Sequence, residues 1–582
     1  MMHPLNSKLL CKQQPVASVP RSHVARPAGA SRRVIARTAD VPLHHPHHDS
    51  LGSADAGDES RCPFLQALRT PPMVNMPWLQ RVKYQVFAPA QYQAQVLKGR
   101  GEHTIVQGPR QPGFNSFFMP ATGELAKAVF AEEPGGTITQ GLAEKGGFRA
   151  FGTLLGEDSL LVVKDPARHA YLRALLQPAF GPDAIASYLP DIEALVSRHL
   201  ATWQASGQAG VKAYGALKML TFDFILQIVM GRSIPEQQLQ HLGGLFSSLT
   251  AGLVAWPYID IPFTPWHKAL AAREELCGFF LAGCAQARQA LAAGQAVPGI
   301  LGRLVAAVDE QGNRLTDQEI THNLLLVLLA GHDTSSTTLT RALANLQDHP
   351  RVLQRLRQEQ QQVVARHGGR ISSDALKDMR YADAVVRETL RRDPVVGAVI
   401  RVATRDFALG GYGVPAGTNV LLPLRTLAET DPRWLHSTGD LAPAAFNPDR
   451  MMTPEGAKPG QLMPFGGGAR YCLGAALAMA EMKTFLALLA RQYAFQADTA
   501  TEWKPALGYY PANGLPLVLS QLQQQQQQQQ AAAACSSSSS RRCEQPQRVG
   551  CNYMRSALGY YLANGLPLVL SQLQQQQQPA AV

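Results

Sequence analysis

A cysteine that follows a run of glycines is the feature of this 582-residue chain with the clearest chemical potential. It lies in the stretch MPFGGGARYCLG, residues 463–474, and a helical pattern, AALAMAEMKTFLALLA, comes directly after it. Glycines before a helix can cradle phosphate, but that site needs a preceding strand and a Lys-Ser/Thr or a ribose-binding acid after the loop. Here the glycines end in Arg470-Tyr471-Cys472, without Lys-Ser/Thr and without parallel-strand alternation nearby. The nucleotide interpretation is therefore poor.

Cys472 has the sequence surroundings of a metal-binding thiolate. A helix predicted to begin near Ala475 would direct its dipole and its free backbone N–H groups at the sulfur, and Arg470 adds positive charge. Taken alone, a single cysteine is more often an inert buried residue. The other seven cysteines are scattered without a CxxC pair, which excludes a disulfide framework and a zinc-site spacing and is typical of a reducing compartment.

An acid and an alcohol, Asp333 and Thr334, interrupt a long apolar helical pattern. The pattern starts at a capping box, residues 316–319, and residues 324–330 are apolar on every side, so we expect this helix to cross the core. Thr334 could simply donate a hydrogen bond to the carbonyl of Ala330, four residues earlier. An acid beside an alcohol on an apolar helix is harder to explain as packing, and we favour a functional interpretation.

Five short motifs, which occur in the same order as in the cytochrome P450 family, resemble the signatures of that family. The cysteine stretch fits FxxGxRxCxG, and AGHDT fits the oxygen-binding AGx(D/E)T of a long central helix. An ExxR pair, the segment FNPDRM with Met451 where an aromatic residue is usual, and an HxxxR pair also match. The resemblance covers about residues 76–520. The matched positions are Phe465, Gly468, Arg470, Cys472 and Gly474; Ala330, Gly331, Asp333 and Thr334; Glu388 and Arg391; Arg450; and His169 and Arg173.

The resemblance implies a mainly α-helical fold with small β-sheets, in which the long central helix lies over a haem. Haem b would bind through the Cys472 thiolate, which pushes electron density onto the iron. Phe465 would shield this ligand, the glycines would let the backbone approach the sulfur, and Ala330 and Gly331 would leave room for haem and oxygen. The implied haem-binding residues are Phe465, Gly468, Arg470, Cys472, Gly474, His169, Arg173, Arg401, Ala330 and Gly331, of which His169, Arg173, Arg401 and Arg470 would pair with the propionates.

Other motifs receive roles from the same resemblance. Asp333 and Thr334 would be catalytic, as the residues that deliver protons to the oxygen, and the ExxR pair would join Arg450 in a buried structural triad that supports the cysteine loop. The apolar segment 395–400 would line the substrate pocket, although it is equally compatible with an ordinary core strand. The C-terminal hairpin at 509–520 would reach into that pocket. The implied triad is Glu388, Arg391 and Arg450, and the implied pocket residues are Val396, Val399, Asn513 and Gly514.

These features predict a monooxygenase that inserts one oxygen atom from O2 into a hydrophobic, isoprenoid-derived substrate: a retinoid, apocarotenoid, terpenoid or sterol. Within the family, the sequences around AGHDT and around the cysteine are similar to those of soluble cyanobacterial enzymes and of retinoic acid hydroxylases. His169, at a position where many relatives have Trp, favours the same groups. Two alternatives stay open, a haem-thiolate enzyme that rearranges hydroperoxides and a haem-binding sensor without turnover. The intact Asp333-Thr334 pair disfavours both.

The positive charge of the chain is concentrated at one end. Lys and Arg exceed Asp and Glu by 11, and seven of these charges lie in residues 1–39, which contain no acid. This composition is typical of an organellar transit peptide, and Val34-Ile35-Ala36 resembles a plastid cleavage pattern; a disordered basic tail is the alternative. We predict a chloroplast protein, with the mitochondrion or another membrane-associated location as the alternative.

Composition also divides the rest of the chain. A linker would span 40–75, and the family domain 76–520. Residues 521–556 contain Gln, Ala and Ser homopolymers, which cannot form a packed core. The 22-residue unit at 506–527 recurs at 557–578 with one difference, Pro511 against Leu562, so we expect 557–582 to be a duplicate outside the fold.

The expected partners follow from charge and from the resemblance. No run of 18 apolar residues indicates a transmembrane helix, although peripheral membrane contact stays open, and the mildly basic body gives little reason to expect nucleic acid binding. Electrons would come from a separate protein, ferredoxin or a cytochrome P450 reductase; an acidic ferredoxin would suit a mildly basic face. We expect a monomer.

Overall fold

A long central helix runs through the fold, as the capping box predicts. In a computed structural model of the chain, this helix spans Asp317–Asp348. The Thr316 hydroxyl accepts a hydrogen bond from the Glu319 N–H at 3.1 Å, and the Glu319 carboxylate accepts one from the Thr316 N–H at 2.7 Å. Two donors that the helix start would leave unpaired are thereby satisfied. The structure describes residues 68, 105–107, 117–140, 148–255, 258–430, 442–458, 462–506 and 508–522.

The described residues form helices that are joined by short strands and turns. The helices are α1 (Gly123–Ala131), α2 (Phe148–Leu155), α3 (Pro166–Leu176), α4 (Pro182–Ala205), α5 (Ala213–Met230), α6 (Glu236–Leu253), α7 (Pro265–Ala292), α8 (Gly299–Ala306), α9 (Asp317–Asp348), α10 (Pro350–His367), α11 (Ser373–Asp378), α12 (Arg380–Arg392), α13 (Leu424–Thr430), α14 (Pro454–Ala457) and α15 (Ala475–Gln492). The strands are β1 (Ile105–Gln107), β2 (Phe117–Pro120), β3 (Ile138–Gln140), β4 (Val211–Lys212), β5 (Val399–Ala403), β6 (Phe407–Leu409), β7 (Tyr412–Val414), β8 (Asn419–Leu422), β9 (Tyr493–Ala497), β10 (Trp503–Ala506), β11 (Gly508–Pro511) and β12 (Pro516–Gln521).

Helix α9 lies at the centre of the main core. It packs against α5, α7, α12 and α15, and its residues Leu324, Leu325 and Leu328 are completely buried. A helix that is apolar around its circumference must be covered from several sides, and this is the position that the sequence predicts. Within the described residues, α5 is the helix long and apolar enough to cross a membrane by length and composition; 72% of it is buried inside the fold, as in a core helix.

The strands form small sheets at the margins of the helical core. The largest described sheet has the order β1-β2-β8-β5-β3, in which β2 and β8 run parallel and the other pairs antiparallel. Strands β4, β12 and β9 form a second sheet, and β6–β7 and β10–β11 are two-stranded hairpins. The predicted class, mainly α-helical with small sheets, is confirmed. The predicted segments 1–39 and 557–582 lie outside the described residues, as does nearly all of 40–75 and 521–556.

A buried cluster of one glutamate and two arginines joins α12 to the segment that leads to the cysteine loop. Arg391 donates to Glu388 through two guanidinium nitrogens, at 2.7 and 2.8 Å, and Arg450 approaches the same carboxylate at 3.5 Å. All three side chains are at most 1% exposed. Arg391 also donates to the carbonyls of Pro443 and Ala445, so the cluster fixes the backbone as well as the charges. The structure thus brings together the three residues of the predicted triad.

A second buried acid, Glu481, has no ion-pair partner among the described residues. It lies on α15 and is 2% exposed, and neither its Oε1 atom nor the Ser335 hydroxyl of α9 has a hydrogen-bond partner among the described residues. Burial raises the pKa of Glu481 to about 8, and the neighbouring Ser335 offsets this only in part. Glu481 is therefore a neutral carboxylic acid at neutral pH.

We expect Glu388→Gln to destabilise the fold strongly, because two guanidinium groups would stay buried without a carboxylate. Removing one partner of a buried ion pair costs about 3–5 kcal/mol. The matched control is Asp374→Asn, which breaks the pair between Asp374 and Lys377; that pair has the same i,i+3 spacing but is exposed and contributes little. Urea unfolding of the haem-loaded protein measures both variants, and equal effects would contradict the buried role of Glu388.

We expect Glu481 to make the folded protein less stable as the pH rises. The unfolded chain releases this proton near the ordinary glutamate value of 4.5, and the folded protein releases it only near pH 8. Between these values the unfolded state has lost a proton that the folded state keeps, so the free energy of unfolding falls by up to about 1.4 kcal/mol per pH unit. Unfolding measured across this window should show a flatter curve for Glu481→Gln, and an unchanged slope would rule out a buried neutral acid.

Candidate active site

One face of α9 is accessible although the helix runs through the core. The accessible residues recur in pairs every three to four positions, while the residues between them are buried. This spacing places them on a single face, and a space that solvent can enter must adjoin it. The face is lined by Leu326, Val327, Ala330, Gly331, Asp333 and Thr334.

Glycine at position 331 has a packing role that differs from the role that the resemblance implies. A Cβ atom placed on it would meet the side chain of Ile225 at 3.0 Å, so glycine here allows α9 and α5 to pack closely. The expectation that Gly331 also leaves room for haem stays a prediction. Ala330, which is exposed in the middle of the helix, adjoins the accessible space.

The cysteine loop ends where α15 begins. The N–H of Cys472 donates to the carbonyl of Phe465 at 3.0 Å, which closes the loop around the glycines. The N–H of Gly474, the residue before α15, donates to the Cys472 sulfur. Cys472 itself is exposed and Phe465 is half-buried. The backbone at the start of α15 thus approaches the sulfur, as the sequence predicts.

The charge that acts on Cys472 comes from a different arginine than expected. Although the Cys472 side chain is accessible, the protein packed around it desolvates the thiol and raises its pKa, and the Gly474 N–H and the charge of Arg173 counteract this only in part. Arg173 reaches the loop by donating to the carbonyl of Tyr471 at 2.8 Å, whereas Arg470 donates to the carbonyl of Val163 at 2.6 Å. A metal ion deprotonates a coordinating thiol outright, so the thiolate form follows from metal binding rather than from the neighbouring charges.

Four nitrogen-bearing side chains converge beside the cysteine loop, and we call them the cationic cluster: His169, Arg173, Arg401 and Arg470. Burial, followed by the charges of Arg470, Arg173 and Arg401, lowers the pKa of His169 to about 4, so the histidine is neutral. A cavity of about 360 Å³ is lined by His169, Arg173, Arg470 and Gly468, and also by Glu133, which forms an ion pair with Arg401. The structure therefore brings together the four predicted propionate partners.

A buried glutamate that sequence reasoning missed, Glu133, belongs to the same region. It forms an ion pair with Arg401 and accepts a hydrogen bond from the backbone N–H of Arg470 at 3.3 Å. It also explains Gly468, whose φ of +67° favours glycine and where a Cβ atom would meet the Glu133 carboxylate at 2.6 Å. No motif marks Glu133, because the surrounding AEEPGG resembles an ordinary solvated helix end.

The charges and the space fit a haem with two propionates. Arg173, Arg401 and Arg470 carry three positive charges and Glu133 carries one negative charge, so 3 − 1 leaves +2, which two carboxylates neutralise. The exposed Cys472 supplies the ligand, and the accessible face of α9 supplies the space on a core helix. The residues present therefore suit haem b.

Asp333 and Thr334 bind different partners. The Thr334 hydroxyl donates to the carbonyl of Ala330 at 2.6 Å, which is the packing role that the sequence left open. Asp333 lies 2.9 Å from the ammonium of Lys218 and 3.0 Å from Nδ1 of His332. Burial opposes ionisation of Asp333, but His332 and Lys218 outweigh it and lower its pKa. A hydroxyl that donates to its own helix keeps lone pairs free to accept, so both roles of Thr334 are compatible.

Two of the implied pocket residues lie in the C-terminal hairpins, and their role in lining the pocket stays a prediction. Asn513 and Gly514 lie at the turn between β11 and β12, where a Cβ atom on Gly514 would meet the side chain of Lys212 in β4. The turn between β10 and β11 is the one that approaches α9, since a Cβ atom on Gly508 would meet Thr337 at 3.2 Å. The sequence contains glycine in both turns, and only the strand pairing distinguishes them.

The two implied pocket valines lie in different surroundings. Val396 is 36% exposed, and Val399 is half-buried at the start of β5, where it packs against the core of the largest sheet. Their role in lining the pocket stays a prediction.

We expect Cys472→Ala to abolish the spectrum of a thiolate-ligated haem, because the variant has no sulfur at this position. The reduced carbon monoxide complex of the wild-type protein should show its Soret band at the thiolate position, and the variant should not. Cys277→Ala is the matched control, since Cys277 is half-buried on α7; its band should be unchanged. A band of the imidazole type in the wild-type protein would contradict the assignment.

Comparison with known proteins agrees with this geometry. A family model described as Cytochrome P450 matches residues 140–509. Abscisic acid 8'-hydroxylase 2 of Arabidopsis thaliana is 30% identical over 372 residues, which are 62% of this chain and 73% of that protein. Beta-amyrin 11-oxidase of Glycyrrhiza uralensis is 29% identical over 341 residues, 57% of this chain and 67% of that protein. The solved structure of retinoic acid-bound cyanobacterial CYP120A1 aligns with a TM-score of 0.63 at 26% identity and covers 78% of this chain and 100% of that one.

The matched region contains the cysteine loop, the accessible face of α9, the buried triad and all members of the cationic cluster. It also spans more than half of the 582 residues. The chain therefore belongs to the cytochrome P450 family, whose members are haem-thiolate monooxygenases.

Proposed function

We propose that this protein inserts one oxygen atom from O2 into a hydrophobic, isoprenoid-derived molecule. The observation that carries the proposal is the accessible face of α9, where Asp333 and Thr334 lie beside the apolar Leu326, Val327 and Ala330. A largely apolar wall with one acid and one alcohol suits an apolar substrate and a reaction that consumes protons. The names of the three relatives support the substrate class, since abscisic acid, β-amyrin and retinoic acid are all built from isoprene units.

Separate groups of residues perform the separate tasks of this reaction. When bound, haem supplies an iron that activates O2, and a cysteine ligand favours that chemistry. Cys472 would hold the haem at its iron, and the cationic cluster would hold it at its propionates. The apolar residues of α9 exclude water from the substrate. The Asp333 carboxylate, held by the half-exposed Lys218, exchanges protons with solvent, and the Thr334 hydroxyl holds a proton at the apolar face.

A separate protein supplies the electrons, and a plant-type ferredoxin is the donor that we favour. The acid-free, arginine-rich residues 1–39 support a plastid location, where ferredoxin is the common electron carrier. The remaining net charge, 11 − 7 = +4, suits an acidic partner. A cytochrome P450 reductase at another membrane is the alternative.

Three probe compounds test the function: all-trans retinoic acid, abscisic acid and β-amyrin. We expect at least one of them to convert the ferric haem from low to high spin and to yield an oxygenated product, because an apolar ligand displaces water from the pocket. Turnover is measured with plant-type ferredoxin and its NADPH-dependent reductase, and separately with a cytochrome P450 reductase. A straight-chain fatty acid serves as the non-isoprenoid control; oxygenation of the fatty acid alone would contradict the substrate class.

The same assay separates monooxygenation from binding without turnover. Thr334→Ala should lower the amount of product formed per NADPH while leaving the spin shift in place. Thr340→Ala is the matched control, since Thr340 donates to the carbonyl of Ser336 at 2.7 Å in the same way but is buried away from the accessible face. Equal coupling in both variants would exclude a proton-holding role for Thr334.

A further inference from the structure

Asn323 on α9 binds the stretch of chain that connects α2 to α3, and we call residues 158–163 the bridging segment. Asn323 is 1% exposed. Its Oδ1 atom accepts a hydrogen bond from the Leu160 N–H at 2.8 Å, and its Nδ2 atom donates to the carbonyl of Asp158 at 3.0 Å. Nδ2 also donates to the carbonyl of Glu319, one turn earlier in α9, at 2.8 Å. The amide thus uses its acceptor and both of its donors, which fixes its orientation and holds the bridging segment at two points.

The other side of the bridging segment binds Arg470 of the cysteine loop. The Arg470 guanidinium donates to the carbonyl of Val163 at 2.6 Å and to the carbonyl of Leu160 at 3.5 Å. These bonds use two of its five N–H donors, so the remaining donors can bind a carboxylate. Burial lowers the pKa of Arg470 to about 10, so the side chain still carries its charge at neutral pH. Leu160 therefore lies between two side chains, with its N–H bound to Asn323 and its carbonyl bound to Arg470.

Hydrogen bonds inside the bridging segment join its two ends. The carbonyl of Ser159 accepts hydrogen bonds from the N–H groups of Val162 and Val163, at 2.9 and 3.1 Å. Because these turns connect Ser159 to Val163, a displacement at Leu160 also displaces the Val163 carbonyl. Both carbonyls that orient the Arg470 guanidinium thus depend on the position of one short turn.

Helix α3, which contains His169 and Arg173, has a separate link to α9. Arg168 on α3 forms an ion pair with Glu319 in the first turn of α9. This pair does not involve the amide of Asn323. Removal of the amide would therefore loosen the bridging segment while α3, with its two members of the cationic cluster, keeps its own contact.

We propose that Asn323 is a positioning residue for Arg470 and that it acts through the bridging segment. By fixing the segment whose carbonyls orient the guanidinium, Asn323 directs the free donors of Arg470 to a haem propionate. A buried residue about three turns before Asp333 on α9 thereby contributes to the binding of haem on the far side of the bridging segment. The inference rests on Arg470 as a propionate partner, and its test needs no turnover.

The expected effect has a definite direction. Without the amide, the Leu160 N–H and the Asp158 carbonyl lose their partner, and the bridging segment no longer holds the guanidinium in one orientation. The propionate then has a weaker hydrogen bond to Arg470, and haem leaves the protein faster. One hydrogen bond of ordinary net strength corresponds to about a fivefold change in rate. The reduction potential of the haem should fall as well, because a cation held close to the haem favours the reduced form.

Resonance Raman spectroscopy of the ferric, haem-loaded protein tests this link. Arg470→Lys identifies the propionate bending band that depends on Arg470, because a lysine ammonium lacks the planar fork that binds two acceptors at once. Asn323→Leu, which has nearly the same size but no amide, should shift this band in the direction of a weaker hydrogen bond. It should also make haem transfer to apomyoglobin about fivefold faster. In the Arg470→Lys background, Asn323→Leu should cause no further shift, since the asparagine acts through the guanidinium.

A second variant and a matched control complete the experiment. Asn323→Asp keeps an acceptor for the Leu160 N–H, so it should shift the band less than Asn323→Leu, and it supplies the comparison if Asn323→Leu does not fold. The control is Asn345→Leu, because Asn345 is a buried asparagine of the same helix whose Oδ1 atom accepts from Arg392 at 3.1 Å. The propionate band and the rate of haem transfer should be unchanged in this control.

Three results overturn the inference: an unchanged band in the Asn323 variants, a shift of full size in the Arg470→Lys background, and an equal shift in Asn345→Leu. If Arg470→Lys itself moves no propionate band, Arg470 is not a propionate partner and the inference falls with it. If the bands shift as expected but no probe compound is oxygenated, the positioning role of Asn323 is supported and the proposed function fails.

Discussion

Buried guanidinium groups require acceptors, and this requirement determines the shape of the region around Cys472. The loop before the cysteine contains one short 3-10 turn and no apolar core of its own. Arg391 and Arg450 share the Glu388 carboxylate, and Arg391 also donates to the carbonyls of Pro443 and Ala445 in the segment that precedes the loop. Arg173 on α3 donates to the Tyr471 carbonyl within the loop itself. The sulfur is therefore held in place by surrounding elements. Loss of a buried carboxylate would destabilise this region most, because it would leave buried guanidinium groups without a counter-charge.

The same principle links the position of the loop to the binding of the cofactor. Glu133 pairs with Arg401 and also accepts a hydrogen bond from the backbone of Arg470, so one carboxylate contacts both the cationic cluster and the cysteine loop. Its negative charge reduces the net charge of the cluster to the value that two propionates neutralise. A neutral residue at this position would leave one positive charge in excess, and a bulkier residue than Gly468 would push the loop away from it. Charge balance and loop geometry are thus satisfied by one side chain.

Local patterns in the sequence predicted the elements and those residues whose partners are near in the chain. The capping box of α9, the Glu388–Arg391 pair and the approach of α15 to Cys472 all depend on spacings of a few residues. Reasoning from the sequence missed Glu133, whose partner Arg401 is 268 positions away, and Lys218, which lies on a different helix from Asp333. No local pattern carries that information. The sequence also does not show which of the two C-terminal turns approaches α9, because the strand pairing and not the glycine content decides it.

Asp333 on α9 and Glu481 on the neighbouring α15 are acids whose environments give them different chemistry. Asp333 has Lys218 and His332 beside it, which outweigh burial and keep it ionised, whereas burial keeps Glu481 protonated and no ion-pair partner for it lies among the described residues. Glu481 is also sealed from water at 2% exposure, while the Asp333 side chain is 15% exposed and its lysine 35%. A proton relay needs a group that exchanges with solvent and that changes charge at modest cost. Asp333 meets both conditions and Glu481 meets neither, so of these two acids only Asp333, with its neighbouring ammonium group, fits the proposed proton delivery.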